Sequence, residues 1–136
     1  MDSPKIIVVT IVRDEAWTLD RFLQTCSQFA DHILVDDDST GLDRSRAIYT
    51  LYPKVTMFDG AGIHFQERRK RVFAEARKIP ASKRIIIALD SDELLSANLL
   101  TSPEWRTVLL SPPGTCIFVH RYGSLVQLGG GRSGAE

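Results

Sequence analysis

The sequence has little sulfur, no excess charge of either sign and no long apolar run. Its only cysteines are Cys26 and Cys116, too far apart for metal-type spacing. That excludes a zinc finger and a dense disulfide scaffold. Two buried, reduced thiols are the simpler reading and imply a cytoplasmic protein; a single disulfide between them is the alternative. Seventeen Lys and Arg balance 17 Asp and Glu, so the formal net charge is zero. The bulk electrostatic attraction expected of a nucleic-acid binder is therefore missing. The apolar run "IIVVTIV" (6–12) falls well short of the roughly 18 residues of a membrane span. It has no basic region ahead of it, so it reads as a strand and not as a signal peptide. His32, His64 and His120 have no partner at metal-ligand spacing and read as structural or solvent-facing.

What is present fits one globular domain. The chain has 136 residues, with 43% hydrophobic and 25% charged, enough to bury a core. "KIIVVTIV" (5–12) is apolar and β-branched, as in a strand covered on both faces. In "DEAWTLDRFLQTCSQFA" (14–30), Trp17, Phe22, Cys26 and Phe29 recur at near-helical spacing. "HILVDD" (32–37) is a second strand, and "RSRAIYTLY" (44–52) a helix stopped before Pro53. "KVTMF" (54–58) is a third strand, and "FQERRKRVFAEARKI" (65–79) a helix ended by Pro80. "RIIIALD" (84–90) is a fourth strand. Ser102 caps a further helix that has Pro103 in its first turn and runs through Leu110. "TCIFVHRY" (115–122) is a fifth strand. Alternation of this kind predicts an α/β fold: a Rossmann-like, mostly parallel sheet with helices on both faces. The expected domain is 1–128, and the glycine-rich "GGGRSGAE" (129–136) reads as a disordered tail.

Open parallel sheets bind ligands beyond the carboxyl ends of their strands. Three predicted strands end there in polar or acidic groups: Thr10 to Glu15, Asp36 to Asp38, and Asp90 to Glu93. Asp90 and Asp92 stand two apart, so an extended chain points both carboxylates to one side. Such a pair suits Mg²⁺ or Mn²⁺, with nucleotide phosphates completing the shell. The same "DSDE" also reads as a turn that caps a helix starting near Leu94. Arg68 and Arg71 share one side of their helix and Arg69 lies on another, so at most one or two face a site. The rest of "ERRKR" reads as a solvated face. A response-regulator receiver fits poorly, because its acidic pair follows the first strand and this one follows the second.

Taken in order, "VVTIVRDEAWTLDRFL", "ADHILVDDDSTGLD", "QERRKRVFAEA" and "RIIIALDSDELL" resemble the N-terminal half of the family 2 glycosyltransferases over about residues 5 to 97. The resemblance implies a GT-A fold that binds a nucleotide-sugar donor, such as a UDP- or GDP-sugar, with Mn²⁺ or Mg²⁺. Asp14 and Glu15 match the family's pair after the opening strand. Asp36 to Thr40 match its acidic loop, which implies that Asp37 meets the base. Arg69 and Ala76 match its helix motif, while Lys70 and Val72 replace the usual Asn and Gly. Asp90 and Asp92 match its DxD signature, the first acid near the ribose and the second on the metal. The implied donor-binding set is Thr10, Arg13, Glu15, Asp37, Arg69 and Asp90, with Asp90 and Asp92 as metal ligands. The implied activity is inverting transfer of a sugar to an acceptor hydroxyl of unknown identity.

The family's catalytic base lies on a segment well beyond the DxD, and no residue here is assigned to it. The short remainder reads as a truncated chain. The alternative is therefore a non-catalytic nucleotide-sugar-binding module of the same fold. A nucleotidyltransferase ranks lower, because "TIVRDEAW" lacks the glycine-rich basic loop that holds a triphosphate.

Overall fold

The run of β-branched residues at the start of the chain forms the strand that the rest of the sheet is built on. The computed structural model describes residues 4–39, 44–90, 101, 103–122 and 125–132. β1 (Lys5–Val12) lies between β2 (His32–Asp37) and β4 (Arg84–Ala88), and β3 (Val55–Asp59) flanks β2. The strand order is β3-β2-β1-β4, with every pair parallel. The fold is thus α/β and Rossmann-like, as the alternation predicts. Continuous apolar sequence in β1 follows from cover on both faces, and Ile7, Val8, Val9 and Val12 are all buried.

Successive side chains of a strand point to opposite faces, and two cores result. On one face, Val8, Val12, Ile33 and Val35 pack with α1 (Ala16–Ser27) and with Tyr49 of α2 (Ser45–Tyr49). On the other, Ile7, Val9 and Leu34 pack with Val72 and Ala76 of α3 (Phe65–Arg77). α1 buries Leu19, Phe22, Leu23 and Cys26. Phe22 and Cys26 lie in the core as the spacing predicts, but Trp17 is 83% exposed. The stripe through Leu19, Leu23 and Cys26 defines the buried face, and Trp17 in the first turn lies off it.

The chain divides into two compact units, residues 1–94 and 95–136, where the sequence reading has one domain to residue 128. The second unit holds α4 (Pro103–Leu110), which opens on the expected proline, and strands β5 (Thr115–Tyr122) and β6 (Leu125–Arg132). β5 is not a further parallel strand. It pairs antiparallel with β6, from Thr115↔Arg132 to Tyr122↔Leu125. Residues 129–132, expected in a disordered tail, are the end of β6. The Ser102 cap, the helix expected near Leu94 and residues 133–136 lie outside the described residues. Among the described residues, no helix is long and apolar enough to cross a membrane.

Candidate functional site

In the order β3-β2-β1-β4, successive connections run outward from β1 on one side, and the chain then crosses back to β4 on the other. The switch in direction falls between β1 and β4, where open α/β sheets leave a crevice at their carboxyl ends. A cleft of about 270 Å³ lies there, between the ends of β1 and β4 and the first turns of α3. Val9 and Ile11 come from β1, Ala88 and Asp90 from the end of β4, and Phe65, Arg69 and Phe73 from α3. The Arg69 guanidinium carbon stands 6.0 Å from the Phe73 ring centre, within cation–π range. Among the described residues, Arg69 is the cation and Asp90 the carboxylate that border this cleft.

A second cleft of about 310 Å³ is bordered by Arg13, Glu15, Asp38, Ile63 and Arg68. Ile11 and Phe65 line both clefts, so the two form adjoining parts of one groove along the sheet edge. Apart from Thr10, four of the sequence-predicted residues border this groove: Arg69 and Asp90 in the first part, Arg13 and Glu15 in the second. Asp92 lies outside the described residues.

Thr10 also lines the first cleft, but not with its hydroxyl. Alternation along β1 puts its side chain on the face of Val8 and Val12, away from α3. Its Oγ1 is buried and has no hydrogen-bond partner among the described residues. The groove therefore meets Thr10 through its backbone.

Asp37 borders neither part of the groove and is fully buried. Its Oδ1 accepts a hydrogen bond from the Ser39 amide at 2.6 Å, and its Oδ2 accepts one from the Tyr49 hydroxyl. Its carbonyl accepts the Gly60 amide at 2.8 Å. The contact with a base that the resemblance implies for Asp37 would require this fully buried carboxylate to become accessible. In the structure Asp37 orders the loop. Ser39, which it holds, accepts the Asp14 amide on Oγ at 2.9 Å. Asp14 has φ of 51°, in the left-handed region that Asp tolerates better than most residues. The β1–α1 turn carrying Arg13 and Glu15 is thereby tied to the end of β2.

Asp36, the neighbour of Asp37, faces the opposite side of the sheet and meets α3. Arg68 donates from Nε to Asp36 Oδ1 at 2.8 Å and from Nη2 to the Asp36 and Val12 carbonyls at 2.9 and 3.2 Å. Arg71 donates to Asp36 Oδ2 from Nε at 3.0 Å and from Nη2 at 2.8 Å, and reaches the Asp59 carbonyl at 2.7 Å. Arg68 is only 4% exposed, so for this residue the solvated-face reading is corrected. A signal existed in the sequence. Arg68, Val72 and Ala76 recur at i, i+4 and i+8, which puts Arg68 in the apolar stripe of α3. Sequence reasoning also missed Gly60. A Cβ there would lie 2.2 Å from Asp36 Oδ1 and 2.4 Å from Arg68 Nε.

At the rim, Asp59 accepts the Ala61 amide at 2.9 Å and pairs with Arg46 at 3.2 Å. The backbone hydrogen bond, followed by Arg46, holds its carboxyl below the usual range. Both side chains of the pair are exposed, so it adds little to stability.

The donor set suits an anionic ligand that also carries hydroxyls. Arg69 offers a guanidinium for phosphate oxygens, and Asp90 a hard carboxylate for a sugar hydroxyl or a divalent cation. Among the described residues, no group of three or more His, Cys, Asp or Glu stands together as a ready metal cage. A Mg²⁺ or Mn²⁺ ion that shares its shell with ligand phosphates needs only one or two carboxylates, and Asp90 fits that requirement. No protein-family model matches the sequence, and no curated protein matches it.

Proposed function

We propose that the groove binds a nucleoside-diphosphate sugar and that the chain is the donor-binding part of a glycosyltransferase. The observation that carries this reading is the placement of Arg69 and Asp90 on one cleft at the switch point of the sheet. Arg69 would take the diphosphate. Asp90 would take a ribose hydroxyl or hold Mn²⁺ or Mg²⁺ against the phosphates, with Asp92 as the second carboxylate. A bound cation would stabilise negative charge on the departing diphosphate. Ile11, Phe65 and Phe73 would flank that contact. The proposed activity is transfer of the sugar to an acceptor hydroxyl.

Calorimetric titration with UDP and with GDP, each with and without Mn²⁺, tests the reading. The expected result is metal-dependent binding of one nucleotide, weakened at least about tenfold by Asp90→Ala, equivalent to ~1.4 kcal/mol. Arg69→Ala should weaken the diphosphate more than the free nucleoside. Absence of binding in every condition, or full metal-dependent binding by Asp90→Ala, would overturn it. Incubation with radiolabelled UDP- and GDP-sugars and an acceptor panel then separates transfer from binding alone.

A further inference from the structure

We propose that Arg68 is a positioning residue of the groove. With Asp36 and Arg71 it latches α3 to the ends of β1, β2 and β3, and so sets where Arg13, Glu15 and Arg69 stand. The inference rests on the groove being the binding site. Arg68 touches three structural levels at once. Its Nη2 holds the Val12 carbonyl, one residue before Arg13; its Nε holds the Asp36 carboxylate; its Nη1 lies 3.7 Å from Asp38 Oδ2 in the loop beyond β2. Arg71 extends the same carboxylate to the Asp59 carbonyl at the end of β3. Arg69 lies between them in sequence on α3 and borders the first cleft, while Arg68 itself borders the second. A shift of α3 along the sheet would therefore move both parts of the groove together.

Burial of charge is a poor way to gain stability, since an apolar set of equal volume is often as stable. What a buried ion cluster does supply is a single geometry, because the Nε and Nη2 hydrogens of both guanidinium groups go to fixed acceptors. This cluster sits at the carboxyl edge and not in the middle of either core. Gly60 leaves it room, where any Cβ would displace the Asp36–Arg68 contact. The glycine is thus part of the latch although it borders neither cleft.

The test uses Gly60→Ala, which pushes on the pair from outside the groove, and Arg68→Lys, which keeps one charge but loses the fork. Ile33→Ala, at the amino end of β2, is a control that weakens the core away from the edge. Native-state amide exchange needs no ligand. In both latch variants the amides of Asp14, Asp38 and Gly60 should exchange at least about tenfold faster, relative to mid-strand amides such as Val9 and Leu34. Unchanged edge amides, or edge and mid-strand amides changing by one common factor, would overturn the proposal. So would failure of both variants to fold, which would make the cluster a requirement of the core. In parallel, affinity for UDP with Mn²⁺ should fall about tenfold in the latch variants and stay level in Ile33→Ala. If the wild-type chain binds no nucleotide, the nucleotide reading falls, while the exchange data still decide whether Arg68 fixes the edge.

Discussion

Tyr49→Phe isolates one hydrogen bond on which the placement of Asp37 depends. The substitution removes a single oxygen from a ring that is 6% exposed and leaves the packing of α2 on the first core in place. Asp37 is wholly buried, and its Oδ2 would lose the Tyr49 donor while Oδ1 keeps the Ser39 amide. Hydrogen bonds to charged groups contribute about 1.5–3 kcal/mol, and the expected loss lies in that range because no described group replaces the phenol. With a urea m-value of about 1–3 kcal/mol/M, a loss near 2 kcal/mol moves the midpoint down by roughly 1 M. Urea unfolding followed by circular dichroism measures it. The cycle with Asp37→Asn should give a coupling of about 1 kcal/mol or more. Affinity for UDP or GDP should not rise in Tyr49→Phe. A loss below about 0.5 kcal/mol would refute the structural role of the bond. A gain in nucleotide affinity would show that Tyr49 had been occupying the place of a ligand on Asp37.

Four further outcomes are expected. Phe22→Ala, at a fully buried position of α1, should cost about 3–5 kcal/mol in chemical unfolding. Trp17→Ala, one turn earlier and exposed, should change stability by no more than about 0.5 kcal/mol. Burial pushes the Cys26 thiol up to about 12 from 9.0. Its folded pKa is raised, so the associated stability is complete below pH 9 and is lost as pH climbs toward 12, at up to about 1.4 kcal/mol per pH unit. Tyr52, pushed up to about 12 by its hydrogen bond to Asp20, acts in the same direction. Urea midpoints from pH 8 to 10.5 should fall less steeply for Cys26→Ala than for the wild type; equal slopes would contradict the assignment. In a Cys116→Ser background, Cys26 should react with a thiol reagent only as fast as the chain opens.

The sheet was legible because its strands are short apolar runs separated by clear helix and turn signals. β1 and "FQERRKRVFAEARKI" lie where periodicity and Pro80 place them. The second unit was not legible in the same way. "TCIFVHRY" carries no mark of which strand it pairs with, and its partner is a strand with three consecutive glycines before its last residue, a composition that reads as linker. For the site, the carboxyl edge was legible from topology rules, and with it the strand-end residues Arg13, Glu15 and Asp90 that border the clefts; Arg69, on α3, came only from the family resemblance. The roles of adjacent acids were harder. Period-two alternation says that Asp36 and Asp37 point to opposite faces. It does not say that Tyr49, twelve residues on, fills one face and two arginines of α3 the other. Those partners come from packing across the sheet, where local sequence is silent.

The run of acids along the edge is not one electrostatic cluster. Asp36 is neutralised on the α3 face by two guanidinium groups, and Asp37 is held on the α1 side by a phenol and an amide. Repulsion between them is relieved by the strand itself, which sends neighbours to opposite faces of the sheet. That division decides which substitutions carry functional information. Replacing Asp36 or Asp37 strands buried donors and costs stability, so a loss of binding in such variants reports on the fold as much as on the ligand. Asp90 is exposed at the end of β4 and borders the cleft, so Asp90→Ala removes a groove carboxylate without opening either core. A binding deficit in a fully stable Asp90→Ala chain therefore has a chemical cause at the groove. The same deficit in Asp37→Ala acquires that meaning only after its unfolding midpoint has been shown to match the wild type.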